Sequence, residues 1–151
     1  MKDVAAEEAM MASVWLSDDG AMLDRLEERD FVDPFCLWLF QVLRDTREAG
    51  EPLDMLAVMR RVRRPEVLNR LPAIMRKGVA SEIARVLTAS CTSAHLAYYL
   101  RVLRTERLRR AVATLSDSIR ERVESHQEPV EILTFIERNV DLLLSHAKRV
   151  D

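Results

Sequence analysis

The stretch Leu96-Ala97-Tyr98-Tyr99-Leu100-Arg101-Val102-Leu103-Arg104-Thr105-Glu106-Arg107-Leu108-Arg109-Arg110-Ala111-Val112-Ala113-Thr114-Leu115-Ser116-Asp117-Ser118-Ile119-Arg120-Glu121-Arg122-Val123 is apolar at helical spacing throughout, but not on one constant face. At about 100° per residue, Leu96, Tyr99, Leu100 and Leu103 share one side, whereas Leu108, Val112, Leu115, Ile119 and Val123 lie nearly opposite. A helix serving one core keeps one stripe, so the long helix predicted from Ser93 to about Glu124 changes partners near Thr105. Its first half is expected to pack on a globular body, and its second half on another helix.

Downstream, Ser125-His126-Gln127-Glu128 reads as a turn, and Pro129 suits the first position of a final helix to about Ala147. The C-terminal third is therefore a helical hairpin. On its last helix Leu133, Ile136, Val140, Leu143 and Leu144 form the main stripe, with Phe135 and Leu142 as a second strip at its margin. One partner helix cannot cover both strips. Pairing with the hairpin of a second molecule, as a four-helix bundle, covers them; folding back on the body is the alternative that periodicity leaves open. The predicted oligomer interface comprises Leu115, Ile119, Val123, Ile132, Phe135, Ile136, Leu142 and Leu143.

Upstream, helices are predicted over Val4 to Leu16, Ala21 to Glu28, Pro34 to Ala49, Pro52 to Val62 and Ser81 to Ala89, with Asp33-Pro34 and Pro52-Leu53-Asp54 as start signals and Gly50 as a stop. Prolines break residues 63–80 into short pieces. The helix from Pro34, apolar on nearly every side, is expected to be the most buried element, and Trp15, Phe31, Trp38 and Phe40 the aromatic core. The fold class is all-α, a compact multi-helix body over 1–103 followed by a protruding hairpin over 104–151.

Composition narrows function. With 151 residues, 48% hydrophobic and 32% charged, the chain suits one helix-rich folded domain. The net charge of −2 gives no general attraction to a polyanion. Cys36 and Cys91 offer neither a disulfide framework nor zinc spacing, which fits a reducing cytoplasm. No stretch reads as a signal peptide or a membrane span, so neither export nor membrane insertion is expected.

Side chains with chemical potential have ordinary readings. For Arg60, Arg61, Arg63 and Arg64 a solvated helix end is the favoured reading, over contact with a phosphate backbone or an acidic partner. Arg101, Arg104, Arg107 and Arg110, with Arg109, cluster where the long helix changes partners and are candidate contacts to a partner or to DNA. His95, His126 and His146 are isolated, and His95 reads as a packing residue near the cap. Glu7 and Glu8 read as surface charges, Tyr98 and Tyr99 as core at the hairpin root. No nucleophile, base and anion-stabilising set is present, and Gly20, Gly50 and Gly78 are too scattered for a phosphate loop. Catalysis, cofactor binding and metal binding are not expected in this chain.

The blocks Ala6-Glu7-Glu8-Ala9-Met10-Met11-Ala12-Ser13-Val14-Trp15-Leu16, Asp30-Phe31-Val32-Asp33-Pro34, Gly50-Glu51-Pro52-Leu53-Asp54-Met55-Leu56 and Cys91-Thr92-Ser93-Ala94-His95-Leu96-Ala97-Tyr98-Tyr99-Leu100-Arg101-Val102-Leu103-Arg104 together resemble, in order and spacing, the N-terminal domain of the bacterial replicative DNA helicase, the DnaB family. The sequence departs from that pattern at Ala12, at Cys36-Leu37, at His95 and over 63–80. The resemblance implies a non-catalytic domain whose hairpins pair, so that dimers or a trimer-of-dimers collar form, and which docks primase during DNA replication. It implies self-association, primase and a helicase loader as partners, DNA contacted only weakly or indirectly, and ATP with magnesium belonging to a motor domain outside these residues. A free-standing relative acting as adaptor or single-stranded DNA binder is the alternative.

Overall fold

Aspartate side chains cap the starts of three helices in the computed structural model, which describes residues 4–89 and 95–149. The elements are α1 (Val4–Leu16), α2 (Gly20–Arg25), a 3-10 turn (Glu28–Asp30), α3 (Pro34–Glu48), α4 (Met55–Val62), α5 (Pro65–Leu68), α6 (Ala73–Arg76), α7 (Val79–Thr88), α8 (Leu96–Glu124) and α9 (Pro129–Ala147). No strand occurs among the described residues, so the fold is all-α. The chain divides into two units, Met1–Leu103 and Arg104–Asp151, with the boundary inside α8.

Asp33 accepts the amide protons of Phe35 and Cys36 at 3.1 and 3.0 Å, with Pro34 in the first turn where no donor is needed. Asp54 likewise accepts from the Ala57 amide at 2.7 Å, which starts α4 at Met55 rather than at Pro52. α2 stops at Arg25, short of the expected Glu28, because the chain enters the 3-10 turn, where the Glu27 amide donates to the Asp30 carboxylate at 2.8 Å. α3 ends as Gly50 takes φ +74°, with the Glu51 amide donating to the Thr46 carbonyl at 3.1 Å. Residues 63–80 hold the single-turn helices α5 and α6, and the Arg76 guanidinium donates to the carbonyls of Leu71 and Asn69. The expected cap Ser93 and the N-terminal Met1-Lys2-Asp3 lie outside the described residues.

The most covered element is α1, not α3. Every residue from Ala6 to Trp15 is buried, against eight of α3. Ala6, Ala9, Ala12 and Ser13 let neighbours approach closely, and α1 packs on α2, α3 and α7. This arrangement overturns the surface reading of its acids. Glu7, only 2% exposed, accepts from the amides of Val32 and Asp33, both at 2.9 Å, and so pins the entry to α3. Glu8 pairs with Arg85 of α7 at 2.7 Å, and the hydrogen bonds that Arg85 donates to Glu8 and then Glu82 raise its pKa. A carboxylate inside a core is tolerated when its charge is met by donors, as both are here.

Trp15, Phe31, Trp38 and Phe40 belong to the apolar cluster of this unit, as expected. Phe31 stacks on Phe40 with centroids 5.1 Å apart, and the Trp38 indole donates to the Val67 carbonyl at 2.9 Å, fastening α5 to α3. Cys36 is buried; desolvation, then the charges of Asp33 and Glu7, push its thiol far up, which leaves it unreactive. Leu96, Leu100 and Leu103 of α8 close the same cluster.

Candidate interaction surface on the C-terminal hairpin

Two turns of geometry build the hairpin. At the end of α8 His126 takes φ +59°, its amide donates to the Val123 carbonyl, and the Gln127 amide donates to the Arg122 carbonyl, which satisfies the terminal carbonyls and reverses the chain. Pro129 then opens α9. The two helices run antiparallel: the Arg122 guanidinium lies 3.8 Å from the centroid of the Phe135 ring and donates to the Gln127 side chain, while Arg104 donates to the Arg149 carbonyl at 3.4 Å.

Helical spacing places Ile132, Ile136, Asn139 and Leu143 along the seam of α9. Among the described residues of this unit, Ile132 alone is buried. On one flank of that seam stand Val130, Leu133, Val140 and Leu144, all exposed, with Leu133 at 64%. Leu133, Val140 and Leu144 were expected to face the partner helix; they point to solvent because the seam centres on Ile132 and Leu143. On the other flank Ala111, Leu115, Phe135, Asn139 and Leu142 line a groove of ≈ 250 Å³. Val112 and Val123 of α8 are also exposed and, by helical spacing, fall on the side away from that groove.

The predicted interface residues therefore divide. Val123 and Leu142 are exposed, Leu115, Ile119, Phe135, Ile136 and Leu143 are half-buried, and Ile132 is buried. The broad flank of exposed aliphatics was missed because period alone does not say which of two adjacent stripes becomes the seam. Of the arginines, Arg101 is exposed, while Arg104, Arg107 and Arg110 are half-buried and each is engaged within the chain. Arg109 pairs with Glu106.

Two further readings change. Tyr98 is 57% exposed rather than core, with Tyr99 edge-on to it at 5.5 Å, and His95 is exposed rather than packed. Among the described residues no group of His, Cys, Asp or Glu could hold a metal ion, and no helix is long and apolar enough to cross a membrane.

A family model described as the DnaB-like helicase N terminal domain matches residues 1–105. Among solved structures, the N-terminal domain of DnaB helicase from Mycobacterium tuberculosis is similar at 22% identity and a TM-score of 0.74, with 92% of this chain and 96% of that chain covered. No curated protein matches the chain.

Proposed function

From the premise that this chain belongs to the DnaB-like helicase N-terminal domain family, we propose that it is a non-catalytic assembly module of a replicative helicase. It self-associates through its hairpin and docks primase in the cytoplasm during DNA replication. ATP-driven unwinding belongs to a motor outside these residues, since the sequence contains no phosphate-loop motif.

The observation that carries the reading is the run of exposed aliphatic side chains on the Leu133 flank of the hairpin seam, with the Leu142 groove on the other flank. Each large apolar side chain moved out of water contributes roughly 1.5–3 kcal/mol, so a few per protomer offset an association cost of roughly 4–15 kcal/mol. A second hairpin offers the same chemistry in return, and a two-fold axis lets one flank meet its own copy. The assembled module then presents the helical body to primase.

The primase part is tested by calorimetric titration of this chain with the helicase-binding domain of a bacterial primase. Saturable binding is expected, and flat heats together with independent gel-filtration peaks would remove primase as the partner.

A further inference from the structure

We propose that the exposed face of α4, with the loop and single-turn helices that follow it, docks an acidic, apolar-flanked polypeptide segment of a partner protein. Residues 55–80 contain seven cations, Arg60, Arg61, Arg63, Arg64, Arg70, Arg76 and Lys77, against one carboxylate, Glu66, in a chain whose net charge is −2. This local excess is opposite in sign to the rest of the molecule.

The structure sorts these cations into anchored and unanchored ones. Arg61 pairs with Glu51 at 3.0 Å, Arg70 pairs with Asp45 at 2.7 Å, and Arg76 is spent on the backbone carbonyls of Leu71 and Asn69. Arg60, Arg63, Arg64 and Lys77 are exposed and make no ion pair with any described residue. Val58 and Val62 turn one side of α4 into the core, so at about 100° per residue Leu56, Arg60 and Arg63 fall together on the opposite side. Leu56 is 61% exposed there, and Ile74 of α6, which follows in sequence between Arg70 and Lys77, is 88% exposed.

That mixture selects the partner. A phosphate backbone would use the cations but gain nothing from two bulky aliphatics, and residues 55–80 contain no aromatic side chain on which a base could stack. Carboxylates beside apolar side chains use both, since the arginines fork onto carboxylates while Leu56 and Ile74 leave water. Part of the basic charge also sits at the C-terminal end of α4, where the helix carbonyls favour cations in the free protein. The surface lies in the unit Met1–Leu103, outside the hairpin.

The test is fluorescence anisotropy of the full chain at low salt, with a labelled synthetic peptide that carries Glu and Leu on one helical face. The expected result is saturable binding that weakens about tenfold, or about 1.4 kcal/mol, in Arg60→Glu/Arg63→Glu and likewise in Ile74→Ser. Leu142→Asp is expected to leave it unchanged, which separates this surface from the hairpin. All the substituted side chains are exposed, and circular dichroism checks that each variant folds. The proposal is overturned if the peptide does not bind, if both body variants bind it as the wild type does, or if unlabelled oligo-dT competes better than unlabelled peptide. The last outcome assigns the surface to nucleic acid.

Discussion

In the body, α1 is covered over ten successive residues, even down to two carboxylates, whereas the longer α9 buries Ile132 alone among its described residues. Val130, Leu133, Val140, Leu142 and Leu144 of that helix remain in water. Both regions are helical and rich in aliphatic side chains, so composition does not separate them. What separates them is the number of surfaces that meet each helix. α1 has α2, α3 and α7 around it, and within its own unit α9 packs against one described helix, α8. A helix with three apolar strips and one partner is unfinished as a monomer, and its remaining strips define where assembly lowers the free energy.

The largest expected effect that probes this contrast is in the body. Trp38→Ala removes a fully buried ring together with its hydrogen bond to the Val67 carbonyl, and should cost roughly 3–5 kcal/mol in urea unfolding. Leu133→Ala, equally apolar but exposed, should change the unfolding of the dilute chain by less than about 0.5 kcal/mol. Equal costs would break the comparison. Next, Glu7→Ala leaves the amides of Val32 and Asp33 without their acceptor inside the core and should cost roughly 2–3 kcal/mol, with Glu7→Gln costing less because one acceptor oxygen remains. A Glu7→Ala variant as stable as the wild type would mean that the buried acid is incidental.

How much of this was legible in the sequence follows from the same contrast. Caps act through side chains next to the helix they start, so Asp33-Pro34 and Asp54 announced α3 and α4 locally. The turn of the apolar stripe near Thr105 was legible because periodicity needs no knowledge of the partner. Glu7 was not, because its acceptors' donors lie at Val32 and Asp33, and nothing in a pair of glutamates says that a distant loop will close over one of them. Tyr98 misled in the opposite direction, since adjacent aromatics on a helix cannot both face the core. On α9, two neighbouring stripes were equally apolar, and only the position of α8 decided that Ile132 and Leu143 form the seam while Leu133 and Leu144 stay outside.

The smallest expected effect lies in the chain reversals. α3 ends on Gly50, suited to positive φ, while α8 ends on His126 in the same left-handed region. His126→Gly should stabilise the hairpin by up to about 0.5–1 kcal/mol, read as slower amide exchange across Val123–Ile132. Faster exchange there would show that the His126 side chain contributes more than its backbone strain costs.

Sedimentation equilibrium over a wide range of concentrations, on the wild type and on Leu133→Asp/Leu142→Asp, tests the central claim most directly. The wild type is expected to move from the 17.4 kDa chain toward twice that mass or a higher even multiple as concentration rises, and the variant to stay at the mass of one chain. A wild type that remains a single chain throughout, or a variant that associates as the wild type does, would contradict the account of the hairpin as an assembly surface.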